Sequence, residues 1–167
     1  MKIFLMTLFV LSGTFLSTSQ AQKTMRESAQ EYVEAFVNNE FLKVVTLTHP
    51  DVVKMNGGAD FVIDDLKAER ESTAGEGLIY NSVIVYEPLK VLQYESELQA
   101  VIPVEYTMQL IDKEYLNKSY ILAISKDEGK SYSFVNLMQF DDASLNEFIT
   151  NLSPEITIPV DGGFTEK

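Results

Sequence analysis

Few residues in this 167-residue chain could do chemistry, and their spacing limits what that chemistry is. His49 is the only histidine, cysteine is absent, and the two arginines are Arg26 and Arg70. A zinc centre takes three or four His, Cys or carboxylate ligands, which one histidine beside Pro50 does not supply. Thiolate chemistry is excluded outright. His49 reads as a helix-terminal residue whose imidazole meets the last carbonyls, with a pocket acid or base as the alternative. Asp64, Asp65, Glu69 and Glu71 crowd one segment. Asp65 and Glu69 are four apart, so on a helix they share a face and repel. No run alternates oxygen ligands around a glycine as a calcium loop requires. The cluster therefore reads as a solvated acidic face, and no cofactor motif accompanies it.

The aromatic residues are more informative. Among eight tyrosines, Tyr106, Tyr120 and Tyr132 fall at positions expected to point inward from strands, with Met108, Phe134 and Asn136 near them in the pattern. Tyr32 and Phe36 belong to the first helix. Together with His49, the residues Tyr32, Phe36, Tyr106, Met108, Tyr120, Phe134 and Asn136 form a candidate ligand pocket. A plain aromatic core is the competing account. An enzymatic version would use His49, Tyr32 and Tyr106 as proton carrier and oxyanion donors.

The elements that must position these groups follow from periodicity. Residues 97–111 alternate strictly: Leu98, Ala100, Ile102, Val104, Tyr106, Met108 and Leu110 on one side, a wetter set on the other. That pattern predicts a long central strand with one buried face. Pro103 cannot donate to a ladder, so a bend is expected there. Before this strand, apolar positions three and four apart predict a helix over 24–39. A second, over 40–47, stops at His49-Pro50, and a third, over 61–73, is capped by Asp60. Strands are expected at 78–86, 89–94, 115–125 and 131–138. Leu116, Tyr120, Leu122 and Ile124 share one face of the 115–125 strand. A last helix spans 141–150, capped by Asp141, Asp142 or Ser144. The proline- and glycine-bearing tail, 151–167, reads as an irregular strap.

The N-terminus has the layout of a secretory leader: Lys2, an apolar run from Ile3 to Leu11, then small and polar residues to Ala21, where cleavage is expected. An uncleaved anchor is the alternative, although the run is short for a membrane span. Domain organisation is accordingly read as a leader over 1–21, one domain over 22–150 and the tail. The formal charge of −12 opposes contact with nucleic acid or anionic lipid, both of which demand Lys and Arg. The expected location is periplasmic or extracellular, and no oligomeric state follows from the sequence.

Two resemblances add to this reading. Ser125-Lys126-Asp127-Glu128-Gly129-Lys130-Ser131-Tyr132 resembles the Asp-box hairpin of sialidases, with Ser131 and Tyr132 as departures. In that family the box is a structural turn away from the catalytic centre. Helices followed by a strand meander, with Leu47-Thr48-His49-Pro50, Gly57-Gly58 and the hairpin over 124–134, resemble the NTF2-like superfamily and small exported bacterial proteins of that type. This resemblance implies an α+β cone: N-terminal helices packed on a curved antiparallel sheet. The superfamily holds binding modules, isomerases and dehydratases. The expectation is thus an exported, non-enzymatic binding module for a small apolar ligand or an envelope protein, with an isomerase- or dehydratase-type enzyme as the alternative.

Overall fold

The computed structural model describes residues 14–160 and 163–167, with side chains from residue 24 onward except at residue 142. Four helices come first: α1 (Thr14–Val37), α2 (Phe41–Leu47), α3 (Pro50–Met55) and α4 (Ala59–Gly75). Strands β1 (Leu78–Val85), β2 (Val91–Tyr94), β3 (Glu97–Leu110), β4 (Lys113–Ser125) and β5 (Ser133–Asn136) follow. The chain closes with a 3-10 turn (Leu137–Gln139), α5 (Asp142–Phe148) and β6 (Gly163–Glu166). The class is α+β, with a six-stranded antiparallel sheet. Most of the expected leader, residues 1–13, lies outside the described residues, and the expected cut after Ala21 falls within α1. No described helix is long and apolar enough to cross a membrane.

The β3–β4 hairpin is the spine, paired without interruption from Leu98↔Ser125 to Leu110↔Lys113. Each flank carries two short strands placed end to end. On β3, β1 covers Val104–Leu110 and β2 covers Glu97–Ala100. On β4, β6 covers Tyr115–Lys118 and β5 covers Ile121–Ile124. Pro103 sits at a break between flanking strands and does not interrupt pairing with β4. Its carbonyl accepts from the Tyr86 N–H at 3.0 Å. In an antiparallel strand a residue's N–H and C=O point to the same side. The missing donor therefore faces the β1–β2 connection, and β4 loses nothing.

Side chains of the even-numbered β3 residues pack under α1 and α2, with Met25, Ala29, Tyr32 and Val33 against Ala100, Ile102, Val104 and Met108. The other face is not wet, as the alternation suggested. Val101, Leu122, Ile124 and Val135 are buried beneath Leu145 of α5, Ile149 just after it, and Leu152 and Ile156 of the tail. The tail is thus a second covering layer. Gln99 fastens it: its Nε2 donates to the Asn151 carbonyl (2.6 Å) and the Glu97 carboxylate (2.9 Å), and its Oε1 accepts from Ser153 N (2.9 Å). Lys90 adds an ion pair to Glu155.

Four local expectations need correction. Pro50 does not merely end a helix. It starts α3 at the first helical position, where a fixed φ fits and no N–H is needed. Asp60 lies inside the first turn of α4, and Gly58, at φ 101°, occupies the cap position without a side-chain bond. The 131–138 strand is shorter, because Leu137–Gln139 tightens into the 3-10 turn capped by Asn136. The tail also supplies β6, where Gly163–Glu166 pairs with β4. Asp141 caps α5 in a reciprocal box with Ser144.

Two substitutions probe this architecture. Gln99→Ala strands the Ser153 N–H and the Asn151 carbonyl, so urea denaturation should show a loss of about 2–3 kcal/mol. An unchanged midpoint would mean that the tail's apolar residues hold it unaided. Ile111, at the β3–β4 turn, has φ 56° and is 70% exposed. A β-branched residue is strained there, so Ile111→Asn should gain about 1 kcal/mol in the same assay. A loss would show that the Ile111 side chain outweighs the strain.

Candidate functional site

A partly enclosed cleft of about 360 Å³ opens between α4 and the helix-side face of the sheet. It exists because α4 does not settle onto the sheet. None of its residues is fully buried, and Val62 and Leu66 are only half-covered. Glycines with positive φ stand at both ends of α4, Gly57 and Gly58 before it and Gly77 after it. Phe61, Val62, Asp65, Leu66 and Glu69 form the α4 wall. Tyr32, Phe36, Tyr80, Tyr106, Met108 and Asn117 form the opposite side, with Asn136, Met138, Gln139 and Phe164 along one margin.

Three rings interlock edge to face. Phe36 lies 5.4 Å from Tyr80 and 6.2 Å from Tyr106, and Tyr80 lies 5.7 Å from Tyr106, centroid to centroid. Such geometry aligns ring edges with ring faces and fixes the wall. Arg70 stacks its guanidinium 4.7 Å from the Phe36 centroid and 4.4 Å from the Tyr80 centroid, and donates to the Phe36 carbonyl at 2.7 Å. The cation thus clamps the α1 end to β1. Burial lowers the Arg70 pKa from its ordinary value, with Tyr80 opposing. Burial also raises the Tyr106 pKa well above the usual phenol range, with Tyr32 and Tyr80 adding to the rise. Tyr106 consequently stays protonated and can donate.

Asn117 is 4% exposed and Tyr106 is 9% exposed. Neither side chain makes a hydrogen bond to another described residue. Every fully occluded side-chain N or O among the described residues has a partner. The polar ends of Asn117 and Tyr106 therefore face the open cleft, where a ligand or water can satisfy them.

Five of the residues expected at a pocket line this cleft: Tyr32, Phe36, Tyr106, Met108 and Asn136. Three do not. Phe134 lies behind Tyr32, stacked at 5.0 Å. Tyr120 is on the opposite sheet face, packed against the tail-side core, because Leu116, Tyr120, Leu122 and Ile124 point away from α1. His49 is buried in the α2–α3 corner, its N–H donating to the Phe134 carbonyl at 2.8 Å and its Nδ1 accepting from Asp51 N at 3.3 Å. The His49, Tyr32 and Tyr106 trio is therefore not assembled on the cleft. No family model, curated protein or solved structure matches the chain.

Tyr80, Asn117 and the α4 carboxylates were missed as lining residues. The bulge between Tyr80 and Ser82 changes the facing pattern along β1, so a plain count by twos misassigns one end. Asn117 and Ser119 share the face of Ile121 and Ala123. Of these two polar residues, Asn117 lines the cleft, while Ser119 is covered. Among the described residues no group of His, Cys, Asp and Glu is placed to hold a metal ion. The Asp127 turn is a closed polar unit: Asp127 accepts from Ser125 Oγ (2.8 Å), Lys130 N (3.0 Å), Ser131 N (2.9 Å) and Ser131 Oγ (2.6 Å). These bonds, those from Ser131 foremost, hold its carboxyl below the ordinary carboxylate range.

Burial, reinforced by Lys126, lowers the His49 pKa, while Asp51 and Glu97 oppose. The unfolded chain takes up that proton near pH 6.5. The folded state takes it up only at lower pH, so below about pH 6.5 the unfolded state binds more protons and stability falls. NMR titration should place the His49 midpoint under its ordinary value. His49→Asn, which keeps a capping acceptor, should lose that part of the acid sensitivity. A midpoint at or above the ordinary value would refute burial as the ruling cause.

Proposed function

We propose that this protein is a small non-enzymatic binding module whose ligand occupies the cleft beneath α4. One observation carries the reading: two deeply buried polar side chains, Asn117 and Tyr106, point unpartnered into a cleft walled by interlocked aromatic rings. A cleft that is mainly apolar with a few convergent polar groups is the usual form of a small-molecule site, and this volume falls at the lower end of that range. The isomerase- or dehydratase-type alternative has less support, since His49 does not reach the cleft.

The NTF2-like cone is part of the same proposal. What supports it is the order of helices before a strand meander, with the cleft on the helical side of the sheet. The layer formed by α5 and the tail is additional to the cone expected from the sequence. Export belongs to the proposal too, resting on Lys2, the apolar run and the small residues before Gln22. The acidic charge fits a partner that is neither nucleic acid nor an anionic membrane.

Native mass spectrometry of the full chain, equilibrated with a lipid and metabolite extract, tests the reading. A non-covalent adduct of small-molecule mass is expected. Leu66→Trp, which pushes an indole into the cleft from α4, should abolish it while the cooperative melt persists. An adduct that survives Leu66→Trp places the ligand elsewhere, and absence of any adduct counts against the module.

A further inference from the structure

We infer that the cleft selects a cationic ligand: a protonated amine at its mouth, attached to an aromatic or other apolar body that lies on the ring wall. This rests on the binding reading above and adds the charge of what is bound. Asp65 and Glu69 line the cleft from α4 and are exposed at its mouth. One helical turn apart on the same face, they converge on one entrance. Neither is in hydrogen-bond or ion-pair contact with another described residue. No described lining residue is Lys or Arg. Arg70 borders the cleft on Phe36 and Tyr80 and interacts electrostatically with Glu69 and Tyr106. Its guanidinium, however, stacks on Phe36 and Tyr80, with one N–H donated to the Phe36 carbonyl. The mouth thus offers two free carboxylates against one committed cation, within a chain of formal charge −12.

The interior supports the same ligand class. Asn117 can both donate and accept, and Tyr106 remains a neutral hydroxyl, so the floor takes a neutral polar group and offers no counter-charge for a carboxylate or phosphate. The rings of Phe36 and Tyr80 already carry the Arg70 guanidinium, so the wall supplies apolar contact for the ligand's body, and the charge preference comes from Asp65 and Glu69. The carboxylates are not the whole site. They stand over a cleft into which two largely buried side chains, Asn117 and Tyr106, turn polar ends that bond to no described residue, which an ordinary solvated acidic face does not have.

The chain contains no tryptophan, so indole emission excited to the red of tyrosine absorption reports the probe alone. Three probes of similar shape separate charge from fit: tryptamine, cationic; tryptophol, neutral; and indole-3-propionate, anionic. In low salt the full chain should bind tryptamine about tenfold more tightly than indole-3-propionate, as expected for two partly solvated carboxylates near an ammonium. Added salt should narrow the gap. The double variant Asp65→Asn with Glu69→Gln should abolish the preference, bringing the ratio of tryptamine to indole-3-propionate affinity to about one. Equal binding of all three, or preference for indole-3-propionate, overturns the charge assignment while the cleft stands. Binding of none of the three tells against the binding module itself, and the cation inference falls with it.

Discussion

The register between β3 and β4 is the constraint on which everything else rests. A slip of one residue would turn one strand over relative to the other. Were β4 to slip along β3, Asn117 would leave the helical side, and Leu122 and Ile124 would leave the tail side. Both sides are covered here, so the slip would be penalised twice. That explains how a hairpin of this length tolerates Pro103 near its middle and a strained Ile111 at its turn. The Asp127 turn fixes the other end of β4, setting where β5 begins.

The two faces are closed differently. On the tail side, α5 and the segment after it fill the surface with aliphatic side chains, and Gln99 satisfies the backbone it meets. On the helical side, α1 and α2 close only part of the sheet. The part that carries Tyr106, Met108 and Asn117 is left to α4, a helix with no fully buried residue. Packing that stays incomplete there keeps a hydrophilic floor within reach of solvent. The aromatic clamp around Arg70 keeps the remaining wall rigid, so the opening has defined sides.

Much of this was legible in the residues. Strict alternation across 97–111 is a long-range pattern, and it placed β3 and its inward face. Spacing in 24–39 placed Tyr32 and Phe36 against that face. The Ser125–Ser131 run announced a polar turn because Asp and Gly have local, self-contained turn roles. What was not legible depended on partners remote in sequence. On β4 the more apolar stripe, with Leu116, Tyr120, Leu122 and Ile124, turns away from α1, because the tail, which looked irregular, covers it. Gln99 looked solvent-bound because its three partners come from Glu97, Asn151 and Ser153. Phe164 could not be placed in the cleft before β6 was known to pair with Asn117. His49 carried the right type of side chain, and its proximity to Thr48, which does line the cleft, gave no hint that its ring is spent on capping α3.

The outer strands have one more consequence. Each flank of the hairpin is two short strands in line, and the longest, β1, is itself interrupted by a bulge after Tyr80. A neighbouring molecule trying to extend the sheet would find no long, unbroken row of amides and carbonyls to copy. Repulsion between chains of formal charge −12 acts in the same direction. At high concentration the molecule is therefore guarded against fibre-like polymerisation by the segmentation of its margins and, at β5, by the Thr48–His49 corner that bridges to Phe134.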